Sequence, residues 1–207
     1  MKKSIFAALA VGTILLSGLA TPASATTIFT LDQDGCTGTC GTGPFGTVAL
    51  DQTTSSLVTV TLTLASGEYF AGTGAGNALA FNVNDSALTL GNITSGFVVG
   101  PLSVKASKFG TFSHSIACDA CQGGQSGNLV GPLTFTVSSG SGVTIDDFKA
   151  NTDGYFFASD ITGLNGKTGN VAAGDPGVPS ATPEPASLAL IGLGLSGVAL
   201  FKRRVRN

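Results

Sequence analysis

The sequence predicts an all-β fold, an antiparallel β-sandwich of jelly-roll-like character, and three observations predict it. Apolar and polar residues alternate with a period of two in run after run. Clusters of Gly, Asn, Asp and Ser separate these runs. No segment of the middle sustains a helical period. Nine or so short strands in about 150 residues suit two packed sheets, with a closed barrel as the alternative. The 13 Phe of the chain supply the bulk to fill the space between sheets.

The elements follow in order. Residues 27–31 and 46–51 are short candidate strands. Residues 57–64 read Leu-Val-Thr-Val-Thr-Leu-Thr-Leu, which sets Val58, Val60, Leu62 and Leu64 on one face and Thr59, Thr61 and Thr63 on the other. Leu79, Phe81 and Val83 repeat the pattern, as do Phe112, His114 and Ile116, and then Leu133, Phe135 and Val137. Residues 87–93, 155–161 and 168–172 are further candidates, and residues 145–150 have room for one helical turn. Gly72, Gly74 and Gly76 do not have the spacing of a dinucleotide fingerprint and read as a turn. This domain is expected over residues 26–170, followed by a Gly/Pro linker over 171–181 that sets it off from the tail.

Both ends carry address-like patterns. Lys2 and Lys3 precede an apolar run over residues 5–20, and Ala23-Ser24-Ala25 is a small-x-small site. Residues 1–25 therefore read as a signal peptide, an apolar helix in transit that is cut after Ala25. Residues 182–207 hold Pro183, Glu184 and Pro185, then an apolar helix expected over 186–201, then Lys202, Arg203 and Arg204. Sixteen residues make roughly 24 Å of helix against a hydrocarbon core of about 30 Å, marginal for a permanent span. The basic end is expected to stay cytoplasmic. The domain between the two signals then lies outside the inner membrane.

Pro183-Glu184-Pro185 before Ala-Ser-Leu-Ala-Leu-Ile-Gly-Leu-Gly-Leu and a basic end resembles a PEP-CTERM sorting signal. The resemblance covers about 25 residues and implies recognition by a membrane-embedded exosortase that processes the tail. It also implies a Gram-negative host that makes exopolysaccharide. The middle is similar to a recurring group of PEP-CTERM surface proteins. The shared features are Cys36-Thr-Gly-Thr-Cys40-Gly, a Gly110-Thr-Phe-Ser stretch leading to Cys118-Asp-Ala-Cys121, and Asp153-Gly-Tyr-Phe-Phe157. That likeness bears on export and fold and implies no ligand.

Four Cys in an exported domain point first to disulfides, with three connectivities open. Local pairs, Cys36 with Cys40 and Cys118 with Cys121, are favoured because the partners are already close in sequence. Cross-pairing would stabilise more, and a four-Cys zinc site is the sharper alternative. No metal or other cofactor is expected. Asp32-Gln-Asp34-Gly35 resembles the opening of a calcium loop but lacks the closing Glu. Asp146, Asp147 and Asp153 read as turn acids. His114 is the one histidine, no Gly-x-Ser-x-Gly elbow occurs, and no enzyme activity is expected.

Charge narrows the partners. Between Thr26 and Ala181, Lys105, Lys108, Lys149 and Lys167 stand against eleven of the chain's 12 acids, and no Arg is present. Such a surface repels phosphate backbones, so nucleic acid is excluded as a partner. The expected function is an exported structural protein of the cell surface or extracellular matrix. An exosortase sorts it, the inner membrane holds it in transit, and it associates with exopolysaccharide or biofilm. The alternative is a carbohydrate-binding or adhesive module, disfavoured by the absence of Trp. Ice binding ranks lower: Thr59, Thr61 and Thr63 make one outward row, and no repeat supplies more.

Overall fold

A computed structural model describes residues 26–73, 77–85, 87–121 and 129–175. Its strands in chain order are β1 (Thr26–Leu31), β2 (Gln33–Asp34), β3 (Gly46–Thr54), β4 (Leu57–Leu64), β5 (Tyr69–Phe70), β6 (Asn77–Phe81) and β7 (Leu88–Gly91). Then follow β8 (Phe97–Val99), β9 (Val104–Ala106), β10 (Gly110–Phe112), β11 (His114–Cys118), β12 (Leu133–Ser139), β13 (Phe157–Thr162) and β14 (Thr168–Ala173). One 3-10 turn, Ile145–Asp147, is the helical element among the described residues, within the stretch where a turn was expected. A reciprocal Thr144–Asp147 capping box closes it.

The strands form three antiparallel sheets. The first runs β1-β3-β4-β12-β7, the second β2-β14-β13-β6-β11-β8 with β5 beside β13, and β9 and β10 make a two-stranded flap. The alternation read in residues 57–64 holds: Val58, Val60 and Leu62 are fully buried, and Thr63 is exposed. Phe29, Leu50, Leu62 and Phe135 of the first sheet share one apolar cluster with Leu79, Phe81, Ile116, Phe157 and Ile161 of the second. Rings meet across it, Phe29 with Phe157 at 4.9 Å and Phe81 with Phe135 at 5.5 Å.

A second apolar cluster lies on the other side of the second sheet. Val104, Ala106, Phe109 and Phe112 of the flap pack against Ala80, Ala158 and Ala172. Those alanines share one face, since Ala158 pairs with both Ala80 and Ala172. Their small side chains let a second layer approach closely. This is why β13 is buried on both faces, with the inward set Phe157, Ser159 and Ile161 and the outward set Ala158, Asp160 and Thr162 all covered.

Several expectations are corrected. Phe112, His114 and Ile116 do not line one face of one strand. The chain leaves the flap at Ser113, whose N–H donates to Asn82 Oδ1 at 2.7 Å, and joins the second sheet at His114. Phe112 therefore packs in the outer cluster and Ile116 in the inner one. The boundary drawn at residue 170 falls too early. Val171, Ala172 and Ala173 are buried in β14 and pair with Ser159, Ala158 and Phe157, so packing carries the strand into the stretch read as linker. The strands β2, β5, β8 and β9 have two or three residues each, too few to register as a period.

Candidate functional site

The sorting residues come first. Ala23 and Ala25, Pro183, Glu184 and Pro185, Lys202, Arg203 and Arg204, and both terminal apolar segments lie outside the described residues. Among the described residues, no helix is long and apolar enough to cross a membrane.

The cysteines are paired locally, Cys36 with Cys40 and Cys118 with Cys121, and no free cysteine remains. Asp34 organises the first loop. Its carboxylate accepts the N–H of Cys36 at 2.8 Å and of Cys40 at 3.0 Å, and the Thr39 hydroxyl also donates to it. Burial pushes the Asp34 carboxyl up, but these bonds and Lys108 outweigh it and hold it below the usual carboxylate range. Potential ligand atoms of Asp34, Cys36 and Cys40 lie within 4.8 Å of one another. Both sulfurs are committed to the disulfide, so neither is a thiolate able to bind zinc. The Asp32–Gly35 stretch thus serves as a loop cap; Asp32 itself accepts from Gln33 Nε2 at 3.0 Å.

His114 is half-buried and stacks on Phe81 with ring centroids 5.8 Å apart. Burial pushes its pKa down, partly offset by the charge of Asp85. The Ser113 hydroxyl lies 2.8 Å from Nδ1. Asp85 gives its hydrogen-bonding capacity to Ser139, Ser141 and the Ala87 N–H, which hold its carboxyl below the usual range. Ser113, His114 and Asp85 are therefore close without forming a relay. In a relay the carboxylate orients one ring nitrogen and the hydroxyl meets the other.

The outer face of the first sheet carries more threonine than one row. Strand register sets Thr47 beside both Thr30 and Thr63, Thr61 beside Thr134, and Thr59 beside Thr136. The pairing of β1 with β3, the β3–β4 hairpin and the pairing of β4 with the distant β12 supply these neighbours, and no sequence repeat is needed.

Glu68, Asp160 and Asn77 are buried polar side chains that escaped the sequence reading. Glu68 is 4% exposed, and its Oε2 has no hydrogen-bond partner among the described residues. Burial and the nearby charge of Asp34 push its carboxyl up to about 7. Asp160, on the outward face of β13, is 2% exposed. It accepts the Thr73 N–H at 2.8 Å and the Thr73 hydroxyl at 2.7 and 2.6 Å on its two oxygens. Burial raises its carboxyl to about 6 despite those bonds. Asn77 is 3% exposed, and its Oδ1 has no hydrogen-bond partner among the described residues. The available signal was Asp160 between Ser159 and Ile161 in a candidate strand, a position that period-two reading assigns to solvent.

No curated protein and no solved structure matches the chain. A family model, the PEP-CTERM protein-sorting motif, matches residues 181–204. Pro183, Glu184 and Pro185 fall inside that stretch, so the chain carries a PEP-CTERM protein-sorting motif, the mark of an exported protein sorted by an exosortase.

Proposed function

We propose that the protein is a non-catalytic structural component of the cell surface or extracellular matrix, associated with exopolysaccharide in a biofilm. The match to the sorting motif at residues 181–204 is the observation that carries this reading. The domain suits that setting. Two sheets that share one apolar cluster support a jelly-roll-like β-sandwich, and two disulfides suit an oxidising compartment. In this reading residues 1–25 are removed on export. Residues 186–201 tether the chain in the inner membrane of a Gram-negative cell, with Lys202, Arg203 and Arg204 inside, until the exosortase processes the tail.

Intact mass of the protein from envelope and medium tests this, in cells with and without the exosortase. The expected product begins at Thr26 and ends near Pro185, and it retains residues 186–207 when the exosortase is deleted. A tail retained in cells that contain the exosortase would make residues 186–201 a permanent anchor and overturn the sorted-and-released reading.

A second reading is a carbohydrate-binding surface module. It is favoured by a polar cavity between the second sheet and the flap, lined in part by Asn77 and Asp160.

A further inference from the structure

The cavity is built where three segments meet. The outward face of the second sheet contributes Asp160 and Asn77, the flap contributes Lys105 and Ser107, and the Cys36–Cys40 loop contributes Thr37. Thr73 joins the floor through its bonds to Asp160. Gly35 marks how closely these layers approach, since a Cβ there would sit 2.5 Å from the Phe109 ring and 2.7 Å from the Asn170 carbonyl oxygen. Lys108 of the flap also donates to the Cys36 carbonyl at 3.2 Å, fastening the loop beside the cavity. The volume is about 300 Å³, at the small end of ligand sites and enough for one ring-sized molecule.

Its chemistry is divided. The floor presents acceptors, the Asp160 carboxylate and Asn77 Oδ1, the latter without a donor among the described residues. A buried acceptor left without a donor keeps its desolvation penalty, so a donor that entered would recover it. The exposed side presents donors from Lys105, Ser107 and Thr37. One carboxylate and one ammonium leave the lining near neutrality. A cation would satisfy the floor but meet Lys105, and an anion would meet Asp160. A hydroxyl donates and accepts, and so fits both sides.

We propose that this cavity binds a single uncharged polyhydroxy ring, its hydroxyls donating to Asn77 and Asp160 and accepting from Lys105 and Ser107. The proposal rests on the carbohydrate-binding reading and gives it a place in the fold. The ligand is held by polar contacts in a recess, so no exposed Trp platform is required.

The test is a titration of the ¹⁵N-labelled protein with D-glucose, D-galactose, D-mannose and N-acetyl-D-glucosamine at millimolar concentration, and with calcium chloride separately. At least one sugar is expected to shift the amides of Thr73, Asn77, Lys105 and Asp160 saturably. Lys105→Ala, at an exposed position of β9, is expected to weaken that sugar at least tenfold. Asn77→Ala is expected to do the same. Sugar shifts that map elsewhere would overturn the site and leave the carbohydrate reading standing. Silence with all four sugars would overturn both. Shifts with calcium alone would replace the proposal with a cation site.

Discussion

Asp34 shows how much one side chain can organise. The loop from Cys36 to Cys40 is short, and its disulfide removes only the entropy of a small closed loop. The carboxylate of Asp34 adds direction by accepting two loop N–H groups and the Thr39 hydroxyl. Asp34→Ala strands those donors, and the expected loss is about 1–3 kcal/mol, read as a lower urea midpoint with unchanged slope. A midpoint within error of the parent would mean that water replaces the carboxylate without cost. Sequence context marks Asp34 as a turn residue, and its role in capping needed the positions of the loop N–H groups. Local disulfide pairing was legible from spacing. The Asn77–Asp160 floor was not, because its members lie far apart in sequence and meet through the packing of β6 against β13.

At the scale of elements, the flap of β9 and β10 is the least expected part of the fold. It closes over Ala80, Ala158 and Ala172 and turns an outer sheet face into a second core. Phe112 is its fully buried anchor. Phe112→Ala is expected to cost about 3–5 kcal/mol by lost burial and an unfilled cavity. Hydrogen exchange should then quicken in β9 and β10 before it quickens in β4, whose neighbours on both sides remain. Uniform quickening across both sheets would mean that the flap and the sheets unfold as one unit. β4 and β12 were legible because each shows several repeats of a two-residue period. The flap was hidden by its short strands, and Phe112 was placed on the wrong face because the break at Ser113 is invisible to a periodic pattern.

Across the whole molecule, buried carboxyls dominate the expected pH response. Glu68 titrates near 7 and Asp160 near 6, above the ordinary 4.5 and 3.8, because burial disfavours their ionised forms. Between about pH 4 and pH 7 the folded chain therefore holds protons that the unfolded chain has released. Stability falls as pH rises through that window and levels off above it, by at most about 3 kcal/mol for each group. His114 works in the opposite sense. Its lowered pKa makes the unfolded chain take up a proton first, so its contribution is lost as pH falls below 6.5. Two groups against one leave the melting temperature higher near pH 5 than near pH 8. Glu68→Gln should flatten that slope by thermal melts across the range. An unchanged slope in the variant would show that Glu68 is not its source.

The sequence by itself determined the sorting motif of this protein and its all-β class, and it favoured the local disulfides. Each of these is written in contiguous residues: a sorting motif over 181–204, period-two runs, and cysteines three and four positions apart. Only the tertiary structure decided which strands are neighbours, and hence the threonine rows of the first sheet, the covered outer face of β13 and the polar cavity under the flap. The physical reason is the range of the forces involved. Alternation and loop closure act along the chain, whereas burial of Asp160 and Asn77 depends on segments that become adjacent only when the sheets and the flap have packed.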